Sequence, residues 1–205
     1  MTGCLLLLLG PSGWCTPLED DPPTCDDATV ADGLEIRVPR IDDAAGAAAV
    51  HYRSWVSTYT PLLRHHQAGQ LTLAERVVHW EWLLRVQPPH MGSLVAARSG
   101  AIVGLVEWEV GVDADPSVGE VHAIHVVPEE RGRGVGSRLL DAAIEALRGH
   151  GVHRAILWVV EDNVTARGFY ERQGWVWDGT RLERPLGGFP DFPTVFEVRY
   201  ALDLS

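Results

Sequence analysis

The chain contains no lysine, and its basic residues are few. All 17 of them are arginine, against 28 acidic residues, so the formal net charge is −11. The excess is uneven, because residues 1–32 carry six carboxylates and no arginine, whereas the remaining 22 acids and 17 arginines leave only −5. Nucleic-acid phosphates are bound by clustered cations, so this balance argues against nucleic acid as a partner.

Cysteine is nearly absent. Its three copies, Cys4, Cys15 and Cys25, all lie near the start of the chain. An odd number without framework spacing is not typical of a disulfide scaffold. Residues 26–205 hold no thiol, which excludes a cysteine acyl-enzyme in that part of the chain.

Long apolar runs are missing as well. The leucines of residues 5–9 form a run that is too short to span a membrane, and no basic residue precedes them as in a signal peptide. A weak export signal stays an alternative, but we expect a cytoplasmic protein with no membrane partner. We predict that residues 1–32, rich in proline and acid, form a disordered or poorly ordered extension, and that residues 33–205 form one domain.

Apolar periodicity divides that domain into elements in the order β-α-α-β-β-β-α-β-α-β-β. Asp42 and Asp43 offer a cap for the first helix, Thr72 and Glu75 have the spacing of a capping box, and Ser99-Gly100 predicts a two-residue hairpin turn. The predicted strands are residues 34–38, 93–98, 101–110, 120–127, 154–160, one that begins at residues 175–177, and 195–204. The predicted helices are residues 44–56, 73–84, 139–149 and 164–173.

A stretch rich in glycine and arginine joins the fourth strand to the third helix. Glycines let a backbone turn tightly and approach a ligand, and the free amides at a helix start favour a negative group. The stretch therefore predicts a pyrophosphate cradle, to which the arginines add positive charge; the alternative is a tight turn with solvated arginines. A Rossmann fingerprint and a P-loop are excluded by glycine spacing and by the missing lysine. The residues concerned are Arg131, Gly132, Arg133, Gly134, Gly136 and Arg138.

Two segments resemble signatures of the GNAT superfamily of N-acetyltransferases. Arg131-x-x-Gly134-x-Gly136 is similar to its R/Q-x-x-G-x-G/A motif, and residues 163–175 are similar to N-x-x-A-x-x-F-Y-E-x-x-G-F, with Trp175 in place of the last Phe. The starting region of the domain, with Ile36-Arg37 and residues 55–59, also looks similar. The resemblance covers the chain from about Leu34 to its end, whereas residues 1–32 have no counterpart.

The resemblance implies an α/β (α+β) fold with a mixed, mostly antiparallel twisted sheet of about seven strands and about four helices. Its splayed central strands would bind acyl-CoA, with acetyl-CoA as the cofactor. The backbone of the fourth strand would pair with pantetheine, and the following turn would hold the pyrophosphate. The cofactor-binding residues implied in this way are His125, Val126, Val127, Arg131, Gly132, Arg133, Gly134, Val135, Gly136, Ser137, Arg138, Asn163, Ala166 and Tyr170.

Three of these implied roles have plainer alternatives. Asn163 would bond the pantetheine, but an asparagine there is also a helix N-cap. Ala166 would leave room for the cofactor, but alanine is also the best helix former. Tyr170 would act as general acid, and its alternative is a core aromatic.

The resemblance also implies a general base. Glu120 lies eleven positions before Arg131, where several members of the superfamily carry a base, although it could equally be a solvated strand-edge carboxylate. Glu107 and Glu109 are alternative bases. The amide of Val126 would stabilise the negative charge that develops on the thioester carbonyl oxygen.

The implied activity is transfer of an acetyl group to a primary amine of a small-molecule or peptide acceptor. We predict that Trp55, Tyr59, Glu107 and Glu109 contribute to acceptor binding, in a pocket between residues 59–66 and 185–193. A homodimer is compatible with the resemblance. A non-catalytic acyl-CoA-binding sensor or interaction module is the alternative function.

We predict no metal site. His122 and His125 are expected on opposite faces of their strand, since an odd separation reverses the face. His65-His66 has no carboxylate or cysteine at ligand spacing.

Overall fold

The computed structural model describes residues 33–63, 71–186 and 192–205. The predicted disordered extension, His65-His66 and most of the 185–193 loop lie outside these ranges. The elements follow the predicted order. They are β1 (Leu34–Arg37), α1 (Ala44–Leu62), α2 (Leu73–Val86), β2 (Met91–Arg98), β3 (Ala101–Val110), β4 (Val118–Val126), α3 (Val135–Gly149), β5 (Arg154–Val160), α4 (Val164–Arg172), β6 (Val176–Pro185) and β7 (Thr194–Asp203).

The seven strands form one sheet in the order β1-β2-β3-β4-β5-β7-β6. All neighbours are antiparallel except β4 and β5, which run parallel. The β2–β3 hairpin turns on Ser99 and Gly100, whose φ angles of 49° and 81° are both positive, as a tight hairpin turn of the primed type requires. The predicted mixed, mostly antiparallel sheet is confirmed.

The central parallel pair separates along its length. β4 and β5 are paired only from Val118 opposite Arg154 to Glu120 opposite Ile156. β4 continues to Val126, and along this stretch β3 remains its partner on the other side. The predicted splay is therefore present, and it leaves one edge of β4 without a strand partner.

The helices cover both faces of the sheet. On one face, Leu139 and Leu140 of α3 pack with Val106 and Val121 in the larger apolar cluster. On the other face, α1 and α2 pack on β2 and β3 through a second cluster that includes the fully buried Trp80. Within the described ranges no helix is long and apolar enough to cross a membrane.

Most element bounds lie within four residues of the sequence prediction, and α1 differs most. α1 runs six residues past Val56, to Leu62. β6 begins at Val176, within the predicted start at residues 175–177, and it runs as an exposed, mostly polar edge strand to Pro185. Asp43 does not cap α1 with its side chain; its carboxylate accepts from the Arg40 amide and the Arg37 guanidinium, each at 2.6 Å.

Candidate functional site

The glycine-rich turn between β4 and α3 has the backbone geometry of an anion site. Gly132 and Gly134 have φ angles of 71° and 80°, a region that side chains disfavour. A Cβ built on either residue meets nothing within 4 Å, so the space beside the turn is open. The first helical bond of α3 joins the Arg138 amide to the Gly134 carbonyl at 3.1 Å, which leaves the amides of residues 135–137 without acceptors inside the helix.

The arginine side chains of this turn do not converge on one ligand. Arg131 reaches back to α1, where it donates to Ser57 Oγ at 2.8 Å and to Thr58 Oγ1 at 3.3 Å. Arg133 pairs with Glu130 at 3.3 Å, and Arg138 donates to the Leu34 carbonyl at 3.0 Å. In the cradle predicted from glycines, helix amides and arginines, the three guanidinium groups thus have protein partners, whereas the amides of residues 135–137 have no acceptor inside the helix.

The unpaired edge of β4 presents only alternate backbone groups. The Val127 amide donates to the Val103 carbonyl of β3 at 3.0 Å. Because ladder bonds alternate along an antiparallel pair, His125 also directs its backbone to β3, whereas Val126 directs its backbone toward the splay. Of the three residues predicted to pair with a cofactor, only Val126 offers its amide on that side. The amides of His125 and Val127 point to β3 instead and are not available on the open edge.

α4 places its signature residues beside the splay. Asn163 is the N-cap of α4, and its Oδ1 accepts from the Ala166 amide at 3.1 Å. Ala166 packs against the larger apolar cluster. The capping reading of Asn163 therefore holds, and it leaves the Nδ2 group available for a second partner.

Tyr170 lies nearly buried on α4, among Phe169, Trp175 and Tyr200. Burial raises the pKa of its hydroxyl, and the neighbouring Tyr59 adds to the rise. Burial likewise raises the pKa of Tyr59 to about 12. Both hydroxyls therefore keep their protons at neutral pH, the state that a proton donor needs.

Trp55 and Tyr59 belong to an aromatic cluster at the C-terminal end of α1. Their rings lie 5.2 Å apart, and Trp55 meets Phe192 edge to face at 5.7 Å. The cluster also contains Val160, the last residue of β5. It therefore stands at the open end of the splay, with Trp55 itself buried.

The three candidate glutamates lie on the sheet face that α1 and α2 cover. Buried Glu107 contacts His79 Nε2 at 3.2 Å and His51 Nδ1 at 4.0 Å. His51 stacks on His125 with ring centroids 4.2 Å apart. Burial lowers the pKa of His51, and it lowers that of His125 to about 4, although Glu107 partly opposes the second shift. These two imidazoles are therefore neutral at pH 7.

Glu109 and Glu120 are opposite each other on β3 and β4, and His122 bridges them. His122 Nδ1 lies 3.1 Å from Glu120 Oε1, and its Nε2 lies 2.9 Å from Glu109 Oε2. Burial lowers the pKa of His122, but the two carboxylates outweigh burial and raise it overall.

The expectation that His122 and His125 lie on opposite faces is wrong. The β3–β4 register shifts between Glu107 and Trp108, so that no residue of β3 lies opposite His122 in the strand ladder. Such a bulge reverses the alternation of side chains, and both imidazoles consequently project toward α1 and α2. Among the residues that the structure describes, no cluster of histidine, cysteine or acidic side chains is arranged to hold a metal ion.

His51, His79 and His122 were not predicted as site residues. The first two are single histidines on helices, and only the contact between α1, α2 and β3 brings them to Glu107. A signal existed for His122, which lies two positions after Glu120, the spacing that puts two strand residues on one face.

Residues 52–175 match the sequence model of the Acetyltransferase (GNAT) family. The chain belongs to this family. The match spans the turn, the splay and both predicted catalytic residues. A mycothiol acetyltransferase of Arthrobacter sp. is 30% identical over 171 residues, which are 79% of this chain and 49% of the relative. The chain thus spans about half the length of that relative.

Solved structures agree on the fold. An N-acetyltransferase from Staphylococcus aureus Mu50 superposes with a TM-score of 0.65 at 20% identity, covering 84% of this chain and 99% of the other. The PaiA N-acetyltransferase of Thermoplasma acidophilum, solved in complex with coenzyme A, gives a TM-score of 0.59 at 21% identity, covering 81% and 97%. This GNAT chain therefore has the architecture of known N-acetyltransferases.

Proposed function

We propose that this chain transfers the acetyl group of acetyl-CoA to a primary amine of a small molecule, by direct transfer in a ternary complex. The observation that carries the proposal is the position of the open glycine turn at the end of the free β4 edge. The turn offers the unbonded amides of α3 to an anion, and the edge offers the Val126 amide to an extended chain. Coenzyme A has both parts, a pyrophosphate and a long amide-containing arm.

The residues present fit that donor. Residues 132–137 would hold the pyrophosphate by their backbone, and Asn163 would meet the arm with the amide group that its capping bond leaves available. Bound acetyl-CoA would supply an acetyl group activated as a thioester. Residues 26–205 contain no cysteine, and direct attack by the amine needs none.

The acceptor amine must lose a proton first, because an alkyl ammonium has a pKa of about 10. Glu120 is the proposed base. Its carboxylate lies among other acids on the face that α1 and α2 cover. The Val126 amide would donate to the carbonyl oxygen as charge develops there. Tyr170, which keeps its proton through burial, would protonate the departing sulfur.

The acceptor is proposed to be cationic. Glu107, Glu109 and Glu120 share one sheet face. The histidines His51 and His125 are neutral, and Arg76 of α2, which interacts electrostatically with Glu107, offsets only one of the three carboxylates. An acidic surface attracts an ammonium group. The name of the Arthrobacter relative, a mycothiol acetyltransferase, supports a small-molecule acceptor. Homodimer formation is a separate prediction.

A panel of primary amines tests the proposal. Spermidine, tyramine, tryptamine, glucosamine and the acidic amino acid glutamate would each be incubated with the chain and acetyl-CoA, and release of free thiol would be followed. Reactions without amine correct for Cys4, Cys15 and Cys25. We expect turnover of at least one cationic amine above that control. Coenzyme A binding without any turnover would favour the non-catalytic module, and turnover of glutamate alone would refute the acidic acceptor surface.

A further inference from the structure

On the sheet face that α1 and α2 cover, four side chains form a row from the interior to solvent. We call it the acid–imidazole row, and it consists of Glu120, His122, Glu109 and His90. The first three are joined at 3.1 and 2.9 Å, and His90 Nε2 lies 3.8 Å from Glu109 Oε1. The exposed fraction of the side chains is 16% at Glu120, 35% at His122, 33% at Glu109 and 54% at His90. The row therefore connects a mostly buried carboxylate to water.

The β4 bulge is what makes this row continuous. His122 has no partner on β3, so its imidazole is free to lie between the carboxylates of two adjacent strands. Each ring nitrogen meets a different carboxylate. An imidazole bonded in this way can accept a proton at one nitrogen while the other nitrogen stays hydrogen-bonded.

We propose that Glu109, His122 and Glu120 act as one proton-holding unit in the acyl transfer, with His122 as a positioning residue that stores the proton removed from the acceptor. This inference rests on the proposed function. The N–H bond of the ammonium breaks and an O–H bond forms on Glu120. The proton then passes to Nδ1 of neutral His122, whose Nε2–H is donated to Glu109 throughout. The resulting imidazolium lies between two carboxylates and loses its proton to water between turnovers.

The surroundings of His122 favour this storage. Glu120 on its own strand and Glu109 on β3 both stabilise the imidazolium and outweigh the effect of burial, so the pKa of His122 lies above 6.5. His90, which precedes β2, faces Glu109 on its other side. The unit can accept a proton only while His122 is neutral. The value of kcat/KM should therefore rise with pH through the raised pKa of His122.

The test compares pH profiles of three variants with the wild type, between about pH 5.5 and 9. His122→Gln keeps a hydrogen-bonding side chain but cannot titrate, so it should lower kcat/KM at pH 8 by about 10²-fold and remove the His122 limb. Glu109→Gln takes away one of the two carboxylates and should move the acid limb to lower pH by about one unit. His150→Gln alters an exposed histidine at the end of α3 and should leave the profile unchanged.

The substrates are acetyl-CoA and the fastest acceptor of the amine panel, and ring-nitrogen NMR follows His122 directly. We expect the NMR titration of His122 and the acid limb of kcat/KM to coincide, and to move together in Glu109→Gln. If the wild type turns over and neither His122→Gln nor Glu109→Gln changes the fall of kcat/KM at acid pH, this inference alone is overturned. A wild-type chain inactive with every amine would overturn the proposed function and this inference with it.

Discussion

Replacing Arg131 should destabilise the protein before any ligand is added. The arginine of the glycine turn is an expected phosphate contact by sequence, yet its guanidinium donates to Ser57 and Thr58 of α1 and to the Ser54 carbonyl. It thereby ties the turn to the C-terminal half of α1. Arg131→Gln would remove these contacts and keep a polar side chain at an exposed position.

The size of the effect follows from those contacts. A hydrogen bond from a charged donor contributes about 1.5–3 kcal/mol, and solvent exposure reduces such contributions to about 1 kcal/mol or less. One short bond at 2.8 Å and the longer ones at 3.3 Å together suggest a loss of about 1–2 kcal/mol. For a domain of this size that corresponds to a fall in Tm of about 2–8 °C.

Arg133→Gln is the matched control. It makes the same substitution two positions away, at a side chain that is 62% exposed and paired only with Glu130 among the described contacts. Urea denaturation of both variants without coenzyme A should show a loss for Arg131→Gln and a change below about 0.5 kcal/mol for Arg133→Gln. Equal midpoints would refute the tie to α1 and return Arg131 to a ligand-binding role.

Three further predictions concern the donor site, the proposed acid and acid stability. Gly134→Glu places a side chain at a φ of 80° and in the open space beside the turn, so it should abolish the rise in Tm that coenzyme A gives the wild type; an unchanged rise would contradict the cradle. Tyr170→Phe should lower kcat at pH 7.5 by about 10²–10⁴-fold while leaving coenzyme A binding intact. The defect should shrink at higher pH, because a thiol with a pKa of about 8.5 then leaves as the thiolate without a proton donor. A kcat close to that of the wild type would show that Tyr170 is only a core aromatic residue. Because the pKa of His125 is about 4 in the folded protein and 6.5 when unfolded, its contribution to stability is complete above pH 6.5 and falls as pH drops toward 4, by up to about 1.4 kcal/mol per unit. Urea midpoints at pH 7.5 and 5 should therefore differ less in His125→Asn than in the wild type, and an equal difference would show that His125 is not kept neutral.

The fold could be predicted largely because its signals are local. The alternation along β7, the apolar stripe of α3 and the Ser99-Gly100 turn are each contained within one element. The polar outer half of β6 carries no such signal, since an exposed edge strand needs no apolar face. The sequence therefore predicts where β6 begins but not where it ends.

The site could be predicted only where one segment forms it. The glycine turn and α4 are such segments. The direction of the Arg131 side chain depends on α1, more than seventy positions earlier, and the face of His122 depends on a bulge in β4. No pattern within one strand reveals either, because both depend on how distant elements pair.

The gap between β4 and β5 has a consequence for association between molecules. A strand edge with unbonded amides normally invites a second chain to add to the sheet, and edges of this kind promote aggregation. Here the free edge of β4 lies inside the sheet and faces β5. The gap between the two strands closes at Glu120, where they begin to pair. A neighbouring sheet could not reach it without displacing β5. The fold thus leaves an unpaired strand edge open to a thin extended molecule, whereas β5 blocks the approach of a second sheet.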